Sequence, residues 1–146
     1  MLNPTDIIIA NKNIFVLGPP ASGKTYFAKQ LWEKNKTHVL LHTDAYINKE
    51  YSLINLISNS IKQKRNYILE GNLCYTIIQH LNTCNQPNII IELQSTKEQI
   101  TKIYKAQRNI SLLETALNFH SIRKTRFESF LAANNFNLEY LKIKSQ

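Results

Sequence analysis

The chain has 146 residues, of which 43% are hydrophobic, and its formal net charge is +8. This length predicts one domain spanning residues 1–146, with enough chain to bury a core. No apolar run approaches the ~20 residues of a membrane span, and two cysteines are too few for a disulfide scaffold or a zinc site. Because residues 1–12 also lack the apolar core of a signal peptide, we expect a cytoplasmic protein. The positive charge favours an anionic partner.

The first elements in chain order are a short buried strand and an amphipathic helix. Residues 1–12 precede them as an N-terminal extension, which we expect to form either an extra edge strand or a loose tail. Residues 13–17 are an apolar run that ends at Gly18, a pattern typical of a buried strand. Residues 25–35 carry apolar side chains at helical spacing. The chain therefore starts with a strand, a glycine-bounded loop and a helix.

The remaining elements continue the alternation of strands and helices. The most β-branched stretch, residues 88–93, is the clearest strand of the chain. Strands that alternate with helices predict a three-layer α/β fold, in which helices cover both faces of a parallel sheet. Beyond the first strand and helix, strands are predicted over 38–42, 66–70, 88–93 and 138–143, and helices over 51–64, 74–81, 96–107 and 111–133.

The loop between the first strand and the first helix matches the phosphate-binding pattern G-x-x-x-x-G-K-[ST]. Such a loop wraps phosphates with backbone N–H groups at a helix N-terminus, and glycine is needed where a Cβ would obstruct the anion. The lysine is predicted to contact the β and γ phosphates of ATP, and the threonine hydroxyl to bind Mg²⁺. Two of the chain's three glycines lie here, which argues against a chance match. The matching residues are Gly18, Pro19, Pro20, Ala21, Ser22, Gly23, Lys24 and Thr25.

Two carboxylates follow predicted strands at the edge of the sheet where ligands of α/β proteins bind. Asp44 comes just after the second strand and is a candidate to orient a phosphoryl acceptor or to accept its proton. The alternative is a turn or helix-cap aspartate. Glu70 ends the third strand and is followed by Gly71, so it is a candidate Mg²⁺ ligand, although most such sites use aspartate. The alternative is a strand-end charge without function.

Three of the four arginines, Arg108, Arg123 and Arg126, lie after residue 107. Arginine binds phosphate through two parallel hydrogen bonds, which lysine does not do. We therefore predict that these arginines form an arm that closes over the phosphates and takes part in catalysis. The alternative is a solvated helical face. His120 shares a stripe with apolar residues and is predicted to be a packing residue.

The pattern as a whole resembles the kinase-like P-loop proteins, and in particular the adenylate-kinase-like group known as DNA topology modulation proteins. Besides the phosphate loop, the resemblance depends on residues 66–72, with their Glu-Gly pair, and on residues 119–126, an aromatic–His stretch that leads into Thr-Arg. It spans residues 13–143 and implies a P-loop NTPase fold with a five-stranded sheet in the order 2-3-1-4-5, ATP with Mg²⁺, and a short lid near 107–111. The lid is shorter than is usual in the group, and Asp44 lacks the second acid that relatives often carry.

These observations favour an enzyme that transfers the γ-phosphoryl group of ATP to a small hydroxyl- or phosphate-bearing acceptor, such as a nucleoside or nucleotide, and the positive charge favours an anionic small molecule among these. A zeta-toxin-like kinase is a variant of this hypothesis, because its Glu-Gly strand end is similar to Glu70-Gly71. A nucleotide-dependent module that binds nucleic acid through its basic surface is the alternative from another class. The chain has no long basic run, and its arginines gather near the predicted lid, so the enzyme is favoured.

Overall fold

Strands and helices alternate along the chain, as the sequence predicts. The structure is a computed structural model that describes residues 3–107, 109–134 and 136–144. The strands are β1 (Ile14–Leu17), β2 (Val39–His42), β3 (Tyr67–Glu70), β4 (Ile89–Gln94) and β5 (Glu139–Lys144), and the helices are α1 (Lys24–Glu33), α2 (Glu50–Lys62), α3 (Cys74–Ile77), α4 (Lys97–Gln107) and α5 (Leu113–Ala133).

The five strands form one parallel sheet in the order β2-β3-β1-β4-β5. The predicted α/β fold and strand order are thereby confirmed. Because all strands run the same way, their carboxyl ends meet at one edge of the sheet, with β1 in the middle. The loop after β1 therefore opens beside the ends of β3 and β4. The register pairs His42 of β2 with Glu70 of β3 at this edge.

The central strand β1 is fully buried because helices cover both faces of the sheet. Phe15 and Leu17 pack in one cluster with residues of α2, α3 and α5. Ile14 and Val16 point to the opposite face and pack in a second cluster with residues of α1. This alternation follows from the two-residue period of a strand. Because β1 is held by packing on both faces, the position of the loop that follows it is fixed.

A smaller apolar cluster connects the phosphate loop to the helices on either side of the predicted lid. Ile100 and Tyr104 of α4 pack with Leu113 of α5, and Ala21 of the phosphate loop packs against them. Between these helices, Ile110–Leu112 forms a 3₁₀ turn. The phosphate loop, α4 and the start of α5 are therefore packed together.

The bounds of most predicted elements lie within two residues of the observed ones. The helix predicted over 74–81 is an exception, since it is α-helical only over Cys74–Ile77 and continues as a 3₁₀ turn. The side chain of Gln86 donates to the carbonyl oxygens of Ile78 and Leu81, at 3.0 and 2.8 Å, and so binds carbonyls that a longer helix would use. Residues 3–12 contain no strand: Pro4–Asp6 is a 3₁₀ turn, and Ile9 is buried in the cluster that contains α1.

Candidate phosphate and metal site

The phosphate loop has the backbone geometry that its sequence predicts. A Cβ at Gly18 would collide with the hydroxyl of Ser22 and would lie 3.1 Å from the carbonyl oxygen of Leu93. Gly23 is the N-cap of α1 and has a φ of 87°, in the left-handed region that favours glycine. Ala21 also has a positive φ, of 61°. Lys24 donates from Nζ to the carbonyl oxygen of Pro19 at 3.1 Å, which folds its side chain back along the loop.

Thr25 at the start of α1 is joined to the end of β3 by a buried carboxylate. Glu70 is 3% exposed, and its Oε1 accepts a hydrogen bond from the hydroxyl of Thr25 at 3.1 Å. The same oxygen accepts from Nδ1 of His42 at 2.7 Å. Because a carboxylate only accepts, Nδ1 of His42 carries the proton in this bond. The two residues predicted to bind Mg²⁺ are therefore adjacent, and His42 is a third member that sequence reasoning missed.

The third glycine brings the ends of β2 and β3 together. Gly71 has a φ of 123°, and a Cβ there would collide with the hydroxyl of Thr43. Thr43 itself is fully buried, and its hydroxyl accepts from the backbone N–H of Leu73 at 3.4 Å. A larger residue at position 71 would push β3 away from the turn Thr43–Tyr46 that follows β2. Asp44 lies in that turn and lines the same cavity as Glu70.

Asp44 and Glu70 face the phosphate loop across a cavity of about 350 Å³. The cavity also contacts Asn72 after β3, Tyr26 of α1 and Ile103 of α4. Asp44 is exposed, so its carboxylate can reach a ligand. The structure thus brings Asp44, Glu70 and Pro20–Thr25 into one site. Their roles in binding and catalysis stay predictions.

The donors around this cavity suit Mg²⁺ held together with a nucleotide. Mg²⁺ prefers oxygen ligands and usually takes one or two from the protein, with water and substrate phosphates supplying the others. Thr25 and Glu70 offer a hydroxyl and a buried carboxylate 3.1 Å apart. Among the described residues, no group of three or more His, Cys, Asp or Glu side chains could hold a metal. The arrangement therefore fits a metal bound mainly through phosphate and water.

A second buried acid, Glu92 on β4, lies on the other side of the loop. It is 2% exposed and accepts hydrogen bonds from Nζ of Lys124, at 3.2 Å, and from the hydroxyl of Tyr140. Burial would raise the pKa of Glu92, but these bonds outweigh burial and hold the pKa below its usual range. Sequence reasoning missed this acid, although a charge inside an isoleucine-rich strand was a visible signal.

His120 of α5 packs as predicted. Its ring lies edge-on against Tyr75, with 5.5 Å between ring centroids. Burial, together with the nearby charges of Lys24 and Lys124, lowers the pKa of His120 to about 4. His120 also lines a cavity of about 300 Å³ with Pro19 and Glu92. It is therefore held neutral next to the phosphate loop.

The structure does not bring Arg123 or Arg126 into the cavity over the loop. Arg108 lies outside the described residues. Arg123 places its guanidinium 5.6 Å from the ring centroid of Phe119, and Arg126 is exposed on α5. Neither Arg123 nor Arg126 is among the described residues that line that cavity. Their part in catalysis stays a prediction. In the described parts of the chain, no helix is long and apolar enough to cross a membrane.

Comparison with known proteins shows the fold. No protein-family model and no curated sequence matches the chain. Among solved structures, a gluconokinase from Sinorhizobium meliloti 1021 is similar with a TM-score of 0.61 and 12% identity, covering 94% of this chain and 85% of that one. An uncharacterized protein from Eubacterium ventriosum ATCC 27560 gives a TM-score of 0.52 and 16% identity, with 91% and 89% covered. A deoxyadenosine kinase from M. mycoides gives 0.49 and 15%, with 90% and 88% covered. The chain has the fold of P-loop kinases.

Proposed function

We propose that this protein is an ATP-dependent phosphotransferase that moves the γ-phosphoryl group to a small anionic acceptor bearing a hydroxyl or phosphate. One observation carries the proposal: the phosphate loop, the Thr25–Glu70 pair and the carboxylate of Asp44 face a single cavity. A protein that only held a nucleotide would not need a second carboxylate opposite the phosphates. The resemblance to the DNA topology modulation group, in residues 66–72 and 119–126, is part of the same proposal.

The residues assigned to ATP are those of the loop Gly18–Thr25. Backbone N–H groups of the loop and the N-terminus of α1 would bind the phosphates, and Lys24 would neutralise charge on the β and γ groups. Thr25 and Glu70 would hold Mg²⁺, which when bound neutralises charge on the β and γ phosphates. His42 would keep the Glu70 carboxylate in place through its 2.7 Å bond. Each group acts by position and charge.

Asp44 is assigned to the acceptor. The acceptor oxygen attacks the γ phosphorus, the bond from that phosphorus to the β–γ bridging oxygen breaks, and ADP leaves with the electron pair. A hydroxyl acceptor loses its proton to Asp44, whereas a phosphate acceptor that is already ionised needs no base. The exposed position of Asp44 opposite the loop suits either acceptor.

The size and charge of the site limit the acceptor. A cavity of about 350 Å³ is at the lower end for small-molecule sites, and part of it would hold the phosphates of ATP. The net charge of +8 would attract an anionic acceptor. Nucleotides and phosphorylated sugars are therefore the first classes to screen, and neutral nucleosides and sugars are screened beside them.

The test combines that panel with two variants. Consumption of ATP is measured with each acceptor, using wild type, Lys24→Ala and Asp44→Asn. We expect Lys24→Ala to lose ATP binding and turnover while it stays folded. Asp44→Asn should keep ATP affinity but lose about 10²–10⁴ in turnover, the usual effect of removing a general base. Wild-type turnover in Asp44→Asn would make Asp44 a turn residue, and wild-type ATP affinity in Lys24→Ala would contradict the proposal itself.

A further inference from the structure

A strongly basic cavity lies at the opposite end of the sheet from the phosphate loop. It has a volume of about 590 Å³, larger than the cavity over the loop, and its walls come from residues 10–11, 34–38 and 64–66. These segments precede β1, β2 and β3, respectively, so we call it the amino-end cavity. Each of these strands has four residues, and a strand of four residues is about 13 Å long. The two cavities are therefore separate sites.

The described residues that form the walls of the amino-end cavity include four cations and no acid. The cations are Lys34, Lys36, Lys64 and Arg65. The two ion pairs found among the described residues lie elsewhere, at Glu70 and Glu92. Four like charges around one hollow repel each other, and a multiply charged anion would relieve that repulsion.

The ends of two helices do not account for this charge. α1 ends at Glu33 and α2 at Lys62, so the negative ends of both helix dipoles lie near the cavity, and cations stabilise such ends. Each helix end carries only about half an elementary charge, and its effect is limited to the last turn. Four full positive charges against two half charges leave about three in excess. Arg65 also lies past the end of α2, where it donates from Nε to the carbonyl oxygen of Thr37 at 3.2 Å.

A buried histidine at the cavity wall gives a second and independent observation. His38 is 4% exposed, and its Nε2 donates to the carbonyl oxygen of Lys12 at 2.9 Å. Its Nδ1 is buried and has no hydrogen-bond partner among the described residues. Buried polar atoms in folded proteins are nearly always paired, so an unpaired one indicates a missing ligand or water. Because Nε2 donates, Nδ1 is an acceptor in the neutral ring: it suits a water or a protonated phosphate oxygen, and it donates to an ionised phosphate only when the ring is protonated.

The backbone at the cavity is also unusual. Asn11 and Lys64 line it with φ values of 61° and 59°, in the left-handed region. Among the described residues, two other non-glycine residues have a positive φ, and one of them is Ala21 of the phosphate loop. Such conformations tend to occur where a ligand binds. At Lys64, just past the end of α2, glycine would be the usual residue, and a cation stands there instead.

We propose that the amino-end cavity binds phosphate groups, presented either by a free nucleotide or oligophosphate or by the backbone of a nucleic acid. Arg65 would bind phosphate oxygens through the fork of its guanidinium, and the three lysines would add point charges around it. This site is additional to the proposed phosphotransfer and does not depend on it. Such a site would explain part of the chain's positive charge, since phosphate binding at the loop does not require these four cations.

The test separates the two sites by using Lys24→Ala as the parent protein. Inorganic tripolyphosphate is titrated into this protein by calorimetry at low salt, and we expect about one binding event per chain. Adding Lys64→Gln and Arg65→Gln should weaken binding at least about tenfold, as expected for two charges near an anion. Adding Lys29→Gln and Lys144→Gln instead removes the same charge from exposed positions outside the cavity and should leave the affinity unchanged.

A further pair of changes and a second probe complete the test. Lys34→Gln with Lys36→Gln removes charge from another wall and should show the same loss, even if the change at Arg65 disturbs its bond to Thr37. A single-stranded oligonucleotide is titrated in parallel. Loss of tripolyphosphate binding identifies a free oligophosphate as the ligand, and loss of oligonucleotide binding alone identifies nucleic acid. Equal affinities in the cavity variants and the control variant, or no binding of either probe to Lys24→Ala, would overturn the proposal.

Discussion

Replacement of Glu70 by glutamine separates the charge of this residue from its shape. Glutamine has nearly the same volume, and its carbonyl oxygen can still accept the hydrogen bond that Thr25 donates at 3.1 Å. What disappears is a negative charge that is 3% exposed and therefore little screened by water. The variant thus removes the electrostatic part of the predicted metal site and keeps most of its packing.

The effect on Mg²⁺ should be much larger than the effect on the fold. The bond from His42 is 2.7 Å long and loses its charged acceptor, but His42 is 42% exposed. We therefore expect a loss of only about 1 kcal/mol in the free energy of unfolding. A group that orients a metal or its bound water usually contributes about 10–100-fold to metal affinity or activity. ATP binding at saturating Mg²⁺ should change little.

Calorimetric titration with ATP at a series of Mg²⁺ concentrations measures this effect. The Mg²⁺ concentration at half-maximal ATP affinity should rise about 10–100-fold in Glu70→Gln. Glu92→Gln is a matched control, because Glu92 is also buried near a strand end and accepts hydrogen bonds from two side chains. The Mg²⁺ dependence of ATP binding by Glu92→Gln should equal that of wild type. The same Mg²⁺ dependence in folded Glu70→Gln and in wild type would refute the reasoning. Glu70 would then be a structural link between Thr25 and His42.

Two further predictions concern α5. The pKa of His120 is about 4 in the folded protein and about 6.5 in the unfolded chain. Between these pH values the unfolded chain therefore binds more protons than the folded protein. The stabilisation that is present above pH 6.5 is lost as the pH falls toward 4. The free energy of unfolding of wild type, measured with denaturant, should therefore fall between pH 7 and pH 5 by about 1 kcal/mol more than that of His120→Leu, after allowance for partial exposure. Equal pH dependence of the two proteins would contradict this. Arg126→Ala should lower ATP turnover by about 10³ if this arginine reaches the transferring phosphate, whereas Lys29→Ala should not; equal turnover in both would make Arg126 part of a solvated face.

The elements of the fold could be predicted from local sequence because the signals are local. Residues 88–93 are β-branched, and the apolar residues of α2 repeat at helical spacing. The phosphate loop needs only eight consecutive residues, with glycines at positions that no other residue fits well. The extent of α3 could not be predicted in this way, because helical spacing does not show that the side chain of Gln86 binds the carbonyl oxygens of Ile78 and Leu81.

The candidate site was predictable in part. Asp44 and Glu70 were found because one follows a strand and the other ends one, and parallel strands end at one edge of the sheet. His42 was missed because its bond to Glu70 depends on the register of β2 against β3, which the sequence does not state. Arg126 was placed near the phosphates by residue type alone, and the structure leaves it exposed on α5.

Local sequence was thus enough for the strand–loop–helix pattern around the phosphate loop and for the alternation of strands and helices, because both depend on neighbouring residues. Tertiary structure alone could show that Glu92 bonds to Lys124 and Tyr140, and that segments near residues 10, 36 and 65 surround one basic cavity. In a parallel sheet every strand is followed by a crossover, so residues that meet at its ends are distant in sequence. Strand order and register decide which of them touch.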